Sequence, residues 1–135
     1  MSIWCRSLAG ILWAIGLAAC HTATRPSATP EQLDGVYKLD RSGQAGGGWR
    51  VRSTLTLTAP NHYELESIIR VRGEESEETE SGRYFIRRGN VILTNARRDE
   101  TELLIRGDSL VGKVDFPGAM LARLVGGPPV YVRTP

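Results

Sequence analysis

From Trp49 onward the chain alternates between apolar and polar positions. Trp49, Val51, Ser53, Leu55 and Leu57 are interleaved with Arg50, Arg52, Thr54 and Thr56, and Tyr63, Leu65, Ser67, Ile69 and Val71 with Glu64, Glu66, Ile68 and Arg70. A period of two sends successive side chains to opposite faces, so each run predicts a strand buried on one side. The two runs also test each other. With Ala59-Pro60-Asn61 as the hairpin loop, Leu57 faces Tyr63, Leu55 faces Leu65, Val51 faces Ile69 and Trp49 faces Val71, while Thr56–Glu64 and Thr54–Glu66 share the other side. A slip by one residue would expose the whole apolar set, so this parity fixes the register.

The same construction applies three more times. Gly89-Asn90 as a two-residue turn pairs Arg88–Val91, Ile86–Leu93 and Tyr84–Asn95. Gly107-Asp108 pairs Ile105–Leu110 and Leu103–Gly112, and Pro117-Gly118 pairs Phe116–Ala119 and Val114–Leu121. Glycine supplies the positive φ that tight hairpin turns require. With a first run at 35–40, the predicted strands are 35–40, 49–58, 62–72, 81–88, 91–95, 101–106, 109–116 and 119–125. The expected fold class is all-β: an antiparallel up-and-down meander of about eight strands, closed into a small barrel without open edges. A curved open sheet and a two-sheet sandwich are the structural rivals. Val130-Tyr131-Val132 is left as either an added strand or part of a tail.

The N-terminal pattern is of another kind. Fifteen of the first twenty residues are apolar, and Leu8–Ala19 form an unbroken stretch behind Arg6. That is long enough for a signal-peptide core and too short for the roughly 20 helical residues of a bilayer span. Leu17-Ala18-Ala19-Cys20 closes it and resembles the lipobox of bacterial lipoprotein precursors. The resemblance implies that Cys20 receives a diacylglyceryl group. Signal peptidase would recognise Leu17, Ala18 and Ala19 and cut before Cys20, whose amine is then acylated, with palmitate-like chains holding the protein on the membrane. Two or three such chains anchor firmly, because each buried methylene contributes about 0.8 kcal/mol. His21 rather than Asp after the cysteine implies, by the same resemblance, the outer membrane, facing the periplasm. The organisation expected is a signal peptide at 1–19, a lipidated cysteine and flexible tether at 20–32, a β-barrel at 33–125 and a C-terminal tail at 126–135.

Within the barrel region the order of motifs carries a second resemblance. Leu33-x-Gly35-x-Tyr37-x-Leu39 is followed by Leu55-Thr56-Leu57, Tyr63-x-Leu65, Gly82-x-Tyr84 and Gly89-Asn90-x-Ile92-Leu93-Thr94. Gly107-Asp108-x-Leu110 and Leu121-x-Arg123 complete the series. This succession is similar to the small lipocalin-like barrels of bacterial lipoproteins, the NlpE-like family among them. That family carries a Cys-x-x-Cys near its first strand; here 42–49 hold Gly46-Gly47-Gly48 and no cysteine, so thiol-based copper sensing is not implied.

Charge and composition narrow the chemistry. With 17 basic and 15 acidic residues the net charge is +2, too balanced to direct the chain onto nucleic acid. Cys5 and Cys20 are the only cysteines and both lie in the leader, so the folded region has neither disulfide nor thiolate. His21 and His62 are the only histidines, too few for the usual zinc or copper donor set or for a recognisable nucleophile–base motif. No metal, cofactor or catalytic residue is expected. Two features carry functional expectations instead. Trp49, Tyr63, Tyr84 and Phe116 fall on the apolar face and form a candidate lining for a ligand pocket. Glu74, Glu75, Glu77, Glu78 and Glu80 lie within seven residues as a candidate acidic interaction loop, opposed by Arg83, Arg87, Arg88, Arg97 and Arg98. The resulting expectation is a non-enzymatic, lipid-anchored envelope protein that serves as a protein-interaction or envelope-maintenance module. The alternative is a carrier or sensor of a small apolar ligand in the barrel interior. The partners implied are membrane lipid through acylated Cys20, and an envelope protein or that ligand.

Overall fold

The computed structural model describes residues 27–112 and 127–135. Eight antiparallel strands close into an up-and-down barrel in sequence order: β1 (Gly35–Gly43), β2 (Trp49–Thr58), β3 (His62–Val71), β4 (Glu74–Arg87), β5 (Asn90–Asn95), β6 (Glu100–Arg106), β7 (Ser109–Gly112) and β8 (Val130–Arg133). The meander is the one the alternation predicts. The β2–β3 pairing carries each expected contact, Leu57 with Tyr63 through Trp49 with Val71, and β6–β7 places Ile105 opposite Leu110 and Leu103 opposite Gly112.

Several boundaries differ from the sequence reading, each for a local reason. The β4–β5 turn is Arg88-Gly89 rather than Gly89-Asn90, because both residues take positive φ (53° and 76°). Two positive-φ residues between paired Arg87 and Asn90 give a two-residue turn whose twist suits a hairpin. The register moves by two, to Tyr84–Leu93 and Ile86–Val91, so the faces are preserved. A second pair of this kind, Arg72 and Gly73 with φ of 53° and 83°, turns β3 directly into β4. The acidic run 74–80 is therefore the first half of a long strand and not a loop. The barrel closes through β8, which pairs with β7 (Leu110–Tyr131) and with β1 (Tyr37–Arg133). It thus reaches beyond 125 into the segment read as a tail. Leu17–Cys20, Phe116 and the strand expected at 119–125 lie outside the described residues.

The interior is apolar at the end where β1 begins. Tyr37, Leu39, Leu55, Leu57, Tyr63, Tyr84, Leu93, Leu103 and Leu110 form one buried cluster. A single helical turn, α1 (Pro30–Leu33), closes that end. Thr29 and Gln32 cap it reciprocally, and Pro30 occupies the first turn, where a missing N–H is harmless. Leu33 is buried with the core, and Ala28 packs against it. The Tyr37 hydroxyl donates to the Leu33 carbonyl at 2.9 Å and that of Tyr84 to the Pro30 carbonyl at 3.3 Å. From the other terminus, Arg133 donates to the Gln32 carbonyl at 3.0 Å and to that of Asp34, with its guanidinium over the Tyr37 ring. The last residues of the expected tether are thus a plug, fastened by Tyr37, Tyr84 and Arg133.

Candidate functional site

Across the sheet, residues at one height share a row, and the rows change character with distance from α1. Leu57, Tyr63, Gly82 and Asn95 are paired in sequence across four strands, and the next row is Leu55, Leu65 and Glu80. The row after that is Ser53, Ser67 and Glu78. Over these three rows the inward side chains pass from aromatic and aliphatic to hydroxyl and carboxylate, while the following row, Val51, Ile69 and Ser76, is apolar again on β2 and β3. Alternation also divides the acidic run: Glu74, Glu78 and Glu80 share the inner face with Tyr63 and Leu65, while Glu75 and Glu77 point outward with Arg70 and Ile68. Arg70 pairs with Glu75 at 2.6 Å on that outer side. Among the described residues no three His, Cys, Asp or Glu side chains converge in a metal-binding group.

At the end remote from α1 these rows line a cavity of about 670 Å³. Its walls combine apolar Leu65, Ile69 and Leu93 with the hydroxyls of Ser53, Ser67, Thr101 and Tyr131. Glu78, Glu80, Asn95 and Arg97 add amide and charge. The hydroxyl layer is organised. Ser53 Oγ lies 2.8 Å from Ser67 Oγ and 3.2 Å from the Tyr131 hydroxyl, and it donates to the Glu66 carbonyl at 3.2 Å. Ser53 and Tyr131 are 3% and 2% exposed, so these bonds are what make burial of the two hydroxyls tolerable. Burial raises the Tyr131 phenol above its ordinary range.

Glu80 is held from two sides. The Tyr63 hydroxyl donates to Glu80 Oε1 at 2.7 Å and Asn95 Nδ2 to Oε2 at 3.2 Å. Burial, and then the bond to this carboxylate, push the Tyr63 phenol well above its usual value, so Tyr63 stays a donor at any physiological pH. Asn95 also organises the rim. Its Oδ1 accepts from the backbone N–H groups of Arg97 and Asp99 at 2.9 and 3.0 Å, fixing the β5–β6 turn that carries Arg97.

The four aromatic residues read from sequence do not form the cavity wall as a set. Tyr63 and Tyr84 are fully buried, occupied by Glu80 and by α1 respectively. Trp49 lies at the β1–β2 turn over Gly43, its partner across the strands, where an added Cβ would meet the indole at 2.6 Å. Phe116 is outside the described residues. The residues that do line the space, Ser53, Ser67, Thr101, Asn95 and Tyr131, were overlooked because each is a small or singly polar residue at an inward position. The available signal was the serine at the centre of two otherwise apolar faces, paired in the predicted register. Compared with protein-family models, curated proteins and solved structures, the chain matches none.

Proposed function

We propose that this chain is a lipid-anchored lipoprotein of the bacterial cell envelope whose barrel is a binding module rather than a catalyst, taking a small amphipathic molecule at its open end. The observation that carries the binding role is the cavity of about 670 Å³, within the roughly 300–1,000 Å³ that small-molecule sites occupy. Its mixed walls favour a ligand with an apolar body and a polar head over a wholly apolar one. A second observation bears on catalysis: His62, the only histidine among the described residues, is exposed on the outer face beside Glu64, away from the cavity. Anchoring and the envelope location rest on Leu17-Ala18-Ala19-Cys20.

The protein-interaction reading also has a specific support. Residues 74–81 of β4 extend past the β5 pairing, which starts at Gly82, and so present an acidic strand edge. Charged edges resist pairing with a further strand, which makes this a weaker docking element than the cavity is a pocket.

The test is extraction of the protein from its native membrane followed by mass spectrometry of bound small molecules, with titration of the neutral probe N-phenylnaphthylamine alongside. Saturable one-to-one binding that Ser67→Phe abolishes is expected, with the fold intact by circular dichroism. Absence of binding, or binding indifferent to Ser67→Phe, would refute the cavity reading. For the anchor, Cys20→Ala is expected to block maturation and release the acyl mass; unchanged processing and membrane fractionation would refute it.

A further inference from the structure

The plugged end of the barrel carries an outer surface unlike the rest. Phe85 points outward from β4 and is 41% exposed, one of only two large hydrophobic side chains so exposed among the described residues. Its strand neighbours on that face are Arg83 and Arg87, and Arg88 follows at the turn. Arg87 lies 5.6 Å from the Phe85 ring centre and is shared with Glu100 at 3.1 Å. Phe85, Arg83 and Arg88 border a groove of about 720 Å³, otherwise lined by Pro60, Ala28 and Ser27 and their neighbours. Among the described residues, the only charged side chains in that lining are the two arginines.

The position of this groove in the chain adds to its chemistry. Ser27, at its edge, is seven residues from Cys20, a span of at most about 25 Å when fully extended. An aromatic side chain beside Arg83 and Arg88, which form no ion pair among the described residues, is the composition that settles at the boundary of anionic headgroups and acyl chains.

We infer that the groove bordered by Arg83, Phe85 and Arg88 is a membrane-docking surface that rests on anionic lipid headgroups. The plugged end then faces the bilayer and the cavity opens away from it. Phe85 reaches into the headgroup layer while Arg83 and Arg88 meet lipid phosphates on either side. A ligand consequently enters the cavity from the aqueous side rather than by lateral transfer out of the supporting leaflet. The surface is independent of what the cavity binds, and it uses the anchor only to bring the barrel near the bilayer.

The test places a photoreactive benzoyl-phenylalanine at position 85, or at Ala96 at the opposite end, in the full chain. Each protein is reconstituted into vesicles of phosphatidylcholine alone or mixed with phosphatidylglycerol. Flotation measures membrane association separately from docking. Lipid adducts are expected from position 85 and not from position 96, enriched in phosphatidylglycerol. They should fall at least about fivefold in the Arg83→Glu, Arg88→Glu double variant, since one arginine near an anionic surface changes binding by about that factor. Chains that float yet give no adduct at 85, equal adducts at 85 and 96, or yields indifferent to lipid charge and to the double variant would each overturn the inference. Failure to float would refute the anchor and leave docking to be read from adducts in mixed vesicles, where their absence overturns it too.

Discussion

Replacing Gly82 by alanine should destabilise the barrel more than its single added methyl suggests. Gly82 lies in the row between Tyr63 and Asn95, and a Cβ there would overlap the Thr94 carbonyl oxygen, meet Tyr63 Cε1 at 2.9 Å and Asn95 Cα at 3.1 Å. Two of those three neighbours are backbone atoms of the adjacent strand, so no rotamer change relieves the contact. Forcing a methyl into such a site costs about 1–3 kcal/mol. Against it stands the roughly 0.4–1 kcal/mol gained by restricting the unfolded chain. The net expectation is a loss of about 1–2 kcal/mol, or a Tm lowered by some 4–16 °C at about 4–8 °C per kcal/mol for a domain of this size. Gly43→Ala is the matched control. The nearest atoms to its Cβ would all belong to the Trp49 indole, a half-buried side chain rather than backbone, so its effect should be the smaller, about 1 kcal/mol. Urea denaturation of the two variants beside the parent measures both. Equal losses, or a Gly82→Ala protein as stable as the parent, would refute the claim that close backbone approach selects glycine here. The perturbation also reaches the cavity, because the displaced ring is the one whose hydroxyl holds Glu80.

Three other expectations follow from the plug and the buried phenols. Leu33→Ala, removing a side chain 5% exposed, should reduce stability by about 2–5 kcal/mol in thermal unfolding. Arg133→Ala removes the bonds to the Gln32 and Asp34 carbonyls; at this exposed site the loss should be about 1 kcal/mol, with faster amide exchange confined to residues 30–35. The phenols of Tyr37, Tyr63, Tyr84 and Tyr131 are all raised above their ordinary 10.0, burial being the largest cause in each. Unfolded tyrosines release protons near that value while the folded ones keep theirs. The contribution is therefore full below pH 10 and is lost as pH rises above it, so phenolate absorbance should appear together with unfolding rather than before it.

Alternation made most of this architecture legible before any coordinates. The inward identity of Leu55, Leu57, Leu65 and Tyr63 follows from parity, and Ala59-Pro60-Asn61 as the loop then sets the β2–β3 register. Parity is blind to a shift of two, however, and the β4–β5 hairpin differs by that amount. Arg88 and Arg72 take the left-handed conformation, which asparagine beside glycine advertises in sequence and arginine does not. The acidic run misled for a related reason. Glutamate has a low strand propensity and like charges repel, yet Glu75 faces Arg70 across the strands, Glu80 is held on the inner face by Tyr63 and Asn95, and Glu74, Glu77 and Glu78 stay exposed. The plug was read as tether because four residues are too few for helical periodicity. The cavity was hidden because hydroxyl-bearing residues at inward positions interrupt an apolar pattern without replacing it.

The two ends of the barrel follow from one feature of the strands. β1 to β4 are longer than β5 and β6, so the long half of the barrel continues as a curved wall beyond the height at which β5 and β6 stop. Where both halves are present, inward side chains find partners across the barrel, and Leu, Val and Tyr fill the space. Where β4 runs on past β5, its inward positions are Glu80, Glu78, Ser76 and Glu74, opposite Leu65, Ser67, Ile69 and Val71 of β3. Ser53 interrupts the apolar series of β2 between buried Val51 and Leu55, and its hydroxyl links β3 and β8 through Ser67 and Tyr131. The filled core and the amphipathic mouth thus differ most on β4, whose inner face turns polar where its pairing with β5 ends. Lengthening β5 and β6 by an inserted residue pair each, with valine at the new inward positions, is the change that would make the mouth resemble the plugged end.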